Sequence, residues 1–135
     1  EIENNFKIKF IGDRNFLDKE INEKIDFVER LEQDSLKSLL IYINYSGKDD
    51  IKRAADRYCS DKNKTKFEDY LFTKNIPDPD LLIRTGGYKR LSDFIIYQST
   101  FTELFFINKL WPDMSNRDLN KILNKFYILE RKFGL

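Results

Sequence analysis

The chain has 135 residues, 41% of them hydrophobic and twelve of them Phe, which is one domain's worth of sequence with material for a real core and excludes a disordered segment. Lys and Arg number 24 against 23 Asp and Glu, so a net charge of +1 gives no general electrostatic reason to bind nucleic acid, and any anion site must be local. A single cysteine and the absence of His exclude an intrachain disulfide, a cysteine-based zinc site and imidazole bases or ligands, and fit a reducing compartment. No stretch approaches the roughly 18 to 20 apolar residues that cross a bilayer, and no signal-peptide pattern opens the chain, so a soluble protein is expected, with Phe-rich faces able to meet lipid.

Phe6 to Ile11 alternates apolar and charged residues as a strand with one better-buried face does, and Gly12-Asp13 ends it. Its closeness to Glu1, which stands where a Met would open a complete chain, suggests that further sequence lies upstream. Leu17, Ile21, Ile25, Val28 and Leu31 recur at spacings of four, four, three and three, which predicts a helix with one apolar face, while Asp18, Lys19, Glu23, Lys24 and Glu29 form its solvated side. Leu36 to Tyr45 is nearly continuously apolar, the signature of a central strand covered on both sides, and Ser46-Gly47 turns it into a helix from about Asp49. Cys59 in that helix has no activating neighbour and reads as a packing residue. Ser60 to Lys66 is a polar surface loop, followed by a short helix around Lys66 to Lys74. Pro77 and Pro79 forbid helix and deliver the chain, extended, into a strand from Asp80 to Arg84.

Asp93 to Gln98 reads as a helix or turn, and Leu104 to Ile107 as another buried strand. Trp111-Pro112-Asp113 breaks the chain, and Asp113 is first a turn former rather than an acid. Ser115 with Asp118 resembles a capping box opening a last helix, whose stripe comprises Leu119, Ile122, Leu123, Phe126, Leu129 and Phe133, with Gly134 as its stop. Strands alternating with helices predict a single α/β domain over residues 1–135 with a largely parallel central sheet flanked by helices, and ligands at the carboxyl ends of the strands.

One such end carries Arg84-Thr85-Gly86-Gly87-Tyr88-Lys89-Arg90-Leu91-Ser92. Glycines let consecutive N–H groups converge on an anion, Arg84 and Arg90 can each fork onto a phosphate, Lys89 adds a point charge and Ser92 a hydroxyl donor. The alternative is a turn with exposed charges. Glu103, just before a buried strand, needs a partner: either Mg²⁺ held against a diphosphate, or a neighbouring Arg or Lys. Asn44 to Lys48 occupies another strand-to-helix turn, where turn chemistry is favoured over anion binding.

In order along the chain, Ile11-Gly12-Asp13-Arg14, Asn44-Tyr45-Ser46-Gly47-Lys48-Asp49-Asp50-Ile51, Pro77-Asp78-Pro79-Asp80-Leu81-Leu82-Ile83-Arg84-Thr85-Gly86-Gly87, Arg90-Leu91-Ser92-Asp93-Phe94, Gln98, Glu103-Leu104, Leu110-Trp111-Pro112-Asp113 and Glu130-Arg131-Lys132-Phe133-Gly134 resemble the cis-prenyltransferases. The likeness is to the bacterial undecaprenyl diphosphate synthase (isoprenyl transferase) type, over its C-terminal portion. It implies a homodimeric α/β enzyme that adds isopentenyl diphosphate to an allylic starter such as farnesyl diphosphate with Mg²⁺, making a long-chain lipid carrier for the cell wall. Such an enzyme is cytoplasmic or peripheral at the inner membrane surface, and its product partitions into the membrane. The positions matching the isopentenyl diphosphate site are Arg84, Arg90, Leu91 and Ser92, with Gly87 and Lys89 in support, and the position matching the metal carboxylate is Glu103.

The chain departs from the family at Ser46 and Lys48, where Gly-Gly-Arg is usual, and at Tyr88 for Glu, Asp93 for Asn, Tyr97 for Trp and Lys132 for Arg. The family's Asp-Gly-Asn-Gly-Arg-Trp segment, with its essential aspartate, has no equivalent here. No catalytic residue is therefore expected in this chain, and alone it is expected not to complete the condensation. The alternative is a non-catalytic subunit that assists a complete partner.

Overall fold

The computed structural model describes residues 6–31 and 35–134; the lead-in at residues 1–5 lies outside it. It is an α/β protein whose chain forms two compact units, Glu1–Asn75 and Ile76–Leu135.

In the first unit, β1 (Lys7–Ile11) pairs in parallel with β2 (Ser38–Tyr42), with Lys7 opposite Ser38 and Ile11 opposite Tyr42. The crossover is α1 (Lys19–Arg30). Its position on the strands is set by charge: Glu29 accepts the Phe10 N–H at 2.8 Å, and Arg14, just after β1, donates to Asn22 at 3.0 Å and Asp26 at 2.6 Å. Gly12 makes the turn between them possible. Its φ is +123°, and a Cβ there would stand 2.1 Å from the Ile43 carbonyl oxygen, so no other residue fits without moving backbone.

Two expectations change here. The apolar stripe of α1 is buried only in its middle, at Ile25, while Ile21 and Leu31 are 44% and 60% exposed. β2, expected to be central and covered on both sides, has β1 as its partner among the described residues, and Leu39 is 47% exposed. Continuous apolar sequence reports affinity for cover, and the described residues supply that cover on part of the strand only.

Ser46 caps α2 (Gly47–Ser60), accepting the Asp49 N–H at 3.2 Å, so the helix starts two residues before the expected Asp49 and this turn is helix-capping chemistry. Cys59 is exposed on α2 and does not pack. Asp50, at 1% exposure, holds the following segment to the helix: its carboxylate accepts from Arg53 (2.8 Å), the Phe72 N–H (2.9 Å) and the Tyr45 hydroxyl (3.2 Å). Arg53 also donates to the Tyr70 carbonyl at 3.0 Å and lies 3.6 Å over the Phe72 ring, and the short helix expected here is a 3₁₀ turn, Phe67–Tyr70.

In the second unit, β3 (Leu81–Arg84) pairs in parallel with β4 (Glu103–Phe106), Leu81 opposite Glu103 and Arg84 opposite Phe106. The crossover contains turns rather than a helix, and it turns inward on Ile95 and Gln98, both buried. Ile95 has φ +39°, an unusual conformation for a β-branched residue. After a 3₁₀ turn at Trp111–Asp113, α3 (Asn116–Tyr127) opens on the expected capping box, with both Ser115–Asp118 hydrogen bonds formed. The helix ends seven residues before Gly134, which is therefore not its stop. Leu129 and Phe133 belong to a tail that folds back, where Arg131 donates to Asp80 at 2.6 Å and Phe133 meets Phe101 edge-on at 5.8 Å.

Candidate active site

The parallel pairing of β3 and β4 brings Arg84 to the carboxyl end of its strand, as the α/β rule for ligand sites requires. Beyond it the chain passes through Gly86 and Gly87, with φ of +84° and +81°. These glycines do not form the backbone cradle expected from the sequence. The Gly86 N–H donates to the Lys109 carbonyl (2.8 Å) and the Gly87 N–H to the Ile107 carbonyl (2.9 Å), so both donors are spent on the segment after β4. The positive φ values turn the two amides that way, which is the reason for glycine here.

The groups at this strand end that could meet an anion are side chains. Arg84 Nη1 donates to the Ser92 hydroxyl oxygen at 2.9 Å and to the Arg90 carbonyl, and Arg90 Nε donates to the same Ser92 oxygen at 3.2 Å. Two guanidiniums thus converge on one hydroxyl. Ser92 and Asp93 both have positive φ, +50° and +64°, which bends the chain back so that Ser92 reaches Arg84 across eight residues. Tyr88, standing where the family usually has Glu, lies under the cations: its ring centre is 4.3 Å from the Arg90 guanidinium and 5.7 Å from that of Arg84.

Arg84, Arg90 and Ser92 line a pocket of about 350 Å³ with Thr85, Leu91 and Phe94. Among the described residues no carboxylate pairs with Arg84 or Arg90. Two unneutralised guanidiniums held together repel each other, and an anion with several oxygens relieves that repulsion and takes their forks. The apolar wall of Leu91 and Phe94 suits a ligand with a hydrocarbon end.

Of the residues expected at this site, Arg84, Arg90, Leu91 and Ser92 come together. Lys89 does not join them: it lines a different pocket, with Phe106, Asn108 and Lys109. Gly87 supports the turn and offers no free amide. Glu103 is half-buried at the start of β4, three register positions from the residue opposite Arg84, or about 10 Å along the strand at ~3.3 Å per residue. Among the described residues no three Asp, Glu, His or Cys side chains gather as a metal site. Thr85 and Phe94 escaped the sequence reading as pocket residues, though Thr85 directly follows Arg84 and Phe94 sits two residues past Ser92.

The family model described as putative undecaprenyl diphosphate synthase matches residues 1–134. The tritrans,polycis-undecaprenyl-diphosphate synthase (geranylgeranyl-diphosphate specific) of Pyrobaculum aerophilum is 37% identical over 98% of this chain and 59% of its own length. The isoprenyl transferase of Thermotoga maritima is 34% identical over 95% of this chain and, again, 59% of its own. The crystal structure of a probable undecaprenyl diphosphate synthase from Campylobacter jejuni superposes with a TM-score of 0.86 at 32% identity, covering 98% of this chain and 64% of that one. Lavandulyl diphosphate synthase from Lavandula x intermedia, solved in complex with dimethylallyl diphosphate, gives 0.87 at 31% identity, covering 96% and 61%. The chain spans about three fifths of the length of these curated relatives, and it belongs to the undecaprenyl diphosphate synthase family of prenyltransferases.

Proposed function

We propose that this chain is part of a cis-prenyltransferase that adds isopentenyl diphosphate units to an allylic diphosphate of the farnesyl diphosphate type, and that both of its units belong to one such domain. The pocket of Arg84, Arg90 and Ser92 takes the diphosphate of isopentenyl diphosphate. The observation that carries the reading is the convergence of two guanidiniums without a carboxylate on the Ser92 hydroxyl, beside an apolar wall. In the reaction the allylic carbon–oxygen bond breaks and its diphosphate leaves. The isopentenyl double bond forms the new carbon–carbon bond, and a proton is lost to give the new double bond. The part played by this chain is to fix one reactant through fork-shaped, preorganised cations. In this reading the chain alone binds isopentenyl diphosphate without completing the condensation.

The described donor set does not build a resident Mg²⁺ centre, since Glu103 stands apart from the arginine pocket and has no cluster of acidic neighbours. Glu103 enters the proposal on the family resemblance alone, as one carboxylate toward a Mg²⁺ shell, and no step is routed through it. Homodimer formation, a long-chain product that partitions into membrane and a cytoplasmic or membrane-peripheral location belong to the same reading. No described helix is long and apolar enough to cross a membrane.

The test is kinetic. In the enzyme carrying this chain, Arg84→Ala or Arg90→Ala is expected to raise the KM for isopentenyl diphosphate at least about tenfold, the scale of one lost charge-assisted contact. An unchanged KM in both variants would overturn the assignment.

A further inference from the structure

Lys89 and Arg90 are adjacent in sequence yet line different pockets. The second pocket, of about 430 Å³, lies within the Ile76–Leu135 unit where the turn after β4 meets α3, and its volume falls in the range of about 300 to 1,000 Å³ common for small-ligand sites. Its floor is Phe106, Ile107 and Ile122, and four lysines stand around it: Lys89, Lys109, Lys121 and Lys125. Lys121 and Lys125 are one helical turn apart and share a face of α3.

One carboxylate, Asp118, lines the pocket, and it is already engaged. It pairs with Lys109 at 2.7 Å and accepts from the Ser115 N–H at 3.1 Å and the Ser115 hydroxyl at 2.5 Å. Lys89, Lys121 and Lys125 have no ion pair among the described residues, which leaves three uncompensated ammonium groups around one cavity. A single carboxylate ligand brings one negative charge. A phosphate group brings about 1.5 to 2, with three acceptor oxygens, and matches three flexible point-charge donors better.

We infer that the pocket of Lys89, Lys121 and Lys125 is a second phosphate-binding site, distinct from the arginine pocket and able to take a phosphate or diphosphate group from a free metabolite or from an anionic lipid headgroup. The inference does not rest on the isopentenyl diphosphate assignment.

Calorimetric titration of the chain with inorganic diphosphate at low ionic strength tests it. Two binding events are expected. The double variant Lys121→Gln/Lys125→Gln, both positions exposed, should weaken one of them at least about tenfold and leave the other. Arg84→Ala/Arg90→Ala should do the reverse, and its result alone bears on the arginine pocket. Diphosphate binding by the lysine variant identical to that of the parent chain would overturn the inference, as would loss of all binding in the arginine variant. Sedimentation with vesicles containing phosphatidic acid, whose headgroup is a phosphate monoester, separates the sources. Vesicle binding that needs Lys121 and Lys125 and is competed by diphosphate assigns a lipid headgroup, and diphosphate binding without vesicle binding assigns a free phosphate compound. Vesicle binding that diphosphate does not compete would show a diffuse surface charge and no phosphate site.

Discussion

Replacing Asp50 isolates the one buried charge among the described residues of the Glu1–Asn75 unit. The carboxylate accepts three hydrogen bonds from three different places: Arg53 on the same helix, the backbone of Phe72, and the Tyr45 hydroxyl before the helix. In Asp50→Ala all three donors lose their acceptor, and Arg53, which is largely buried, loses its counter-charge. Breaking a buried pair from one side costs about 3 to 5 kcal/mol. Asp50→Asn keeps an oxygen for Arg53 and Phe72, and the Tyr45 hydroxyl can rotate to accept from the new amide, so only the charge assistance is lost, about 1 to 3 kcal/mol. Urea denaturation of the two variants should therefore rank Ala below Asn by about 2 kcal/mol, the distance between the centres of the two ranges, and protection of the Phe72 amide from hydrogen exchange should fall in both. A second readout follows from Tyr42, whose hydroxyl pKa is raised first by burial and then by the Asp50 charge. In Asp50→Asn the Tyr42 titration should move down while staying above the usual tyrosine value, because burial remains. Stability of Asp50→Ala within about 1 kcal/mol of the parent would refute the account of Asp50 as the anchor of the 67–72 segment.

Two further outcomes are expected. Asp118 is held well below the usual carboxylate range by the Lys109 and Ser115 hydrogen bonds, so its contribution is complete above the unfolded value near ~4 and is lost as pH falls toward the folded one. The difference in denaturation midpoint between the parent chain and Asp118→Asn should accordingly shrink as pH is lowered below about 4, and a difference that stays constant down the acid limb would contradict the pairing. In the enzyme carrying this chain, Glu103→Gln should raise the Mg²⁺ concentration needed for half-maximal activity severalfold, and an unaltered Mg²⁺ response would remove Glu103 from the metal proposal.

Local chemistry was legible in the sequence where one or two neighbouring residues decide it. The Ser115–Asp118 pair caps α3 because the acceptor and the orphan amide are three residues apart, and Pro77 and Pro79 exclude helix by their own rings. Arg84, Arg90 and Ser92 were legible for the same reason, since a short loop returns to the strand end it left, whereas Leu91 came with the family resemblance. What depended on a distant partner was not. The glycine amides looked free because the carbonyls of Ile107 and Lys109 that take them are about twenty residues on. Glu103 looked close to the cradle until the register opposite Leu81 placed it at the other end of the strand. Gly134 looked like a helix stop, yet the tail turns off at Ile128 and is tied down by Arg131 on Asp80, 51 residues away.

The glycine pair acts on charge placement rather than on the anion itself. Because the amides of Gly86 and Gly87 are bound to the segment that follows β4, the loop after β3 is held against it at its base, and the residues beyond it fan out from a fixed point. Arg90 then turns toward Arg84 and Ser92, while Lys89 turns toward Asn108 and Lys109. Three cations on nine residues would otherwise compete for one anion or repel into solvent; here their charge is divided between a site built from planar forks and one built from point charges. Tyr88 stands at the division, its ring beneath Arg90. A glutamate at that position, as is usual in the family, would place a carboxylate among the same guanidiniums and could neutralise one of them; the tyrosine offers a cation–π surface instead and leaves both arginine charges unneutralised.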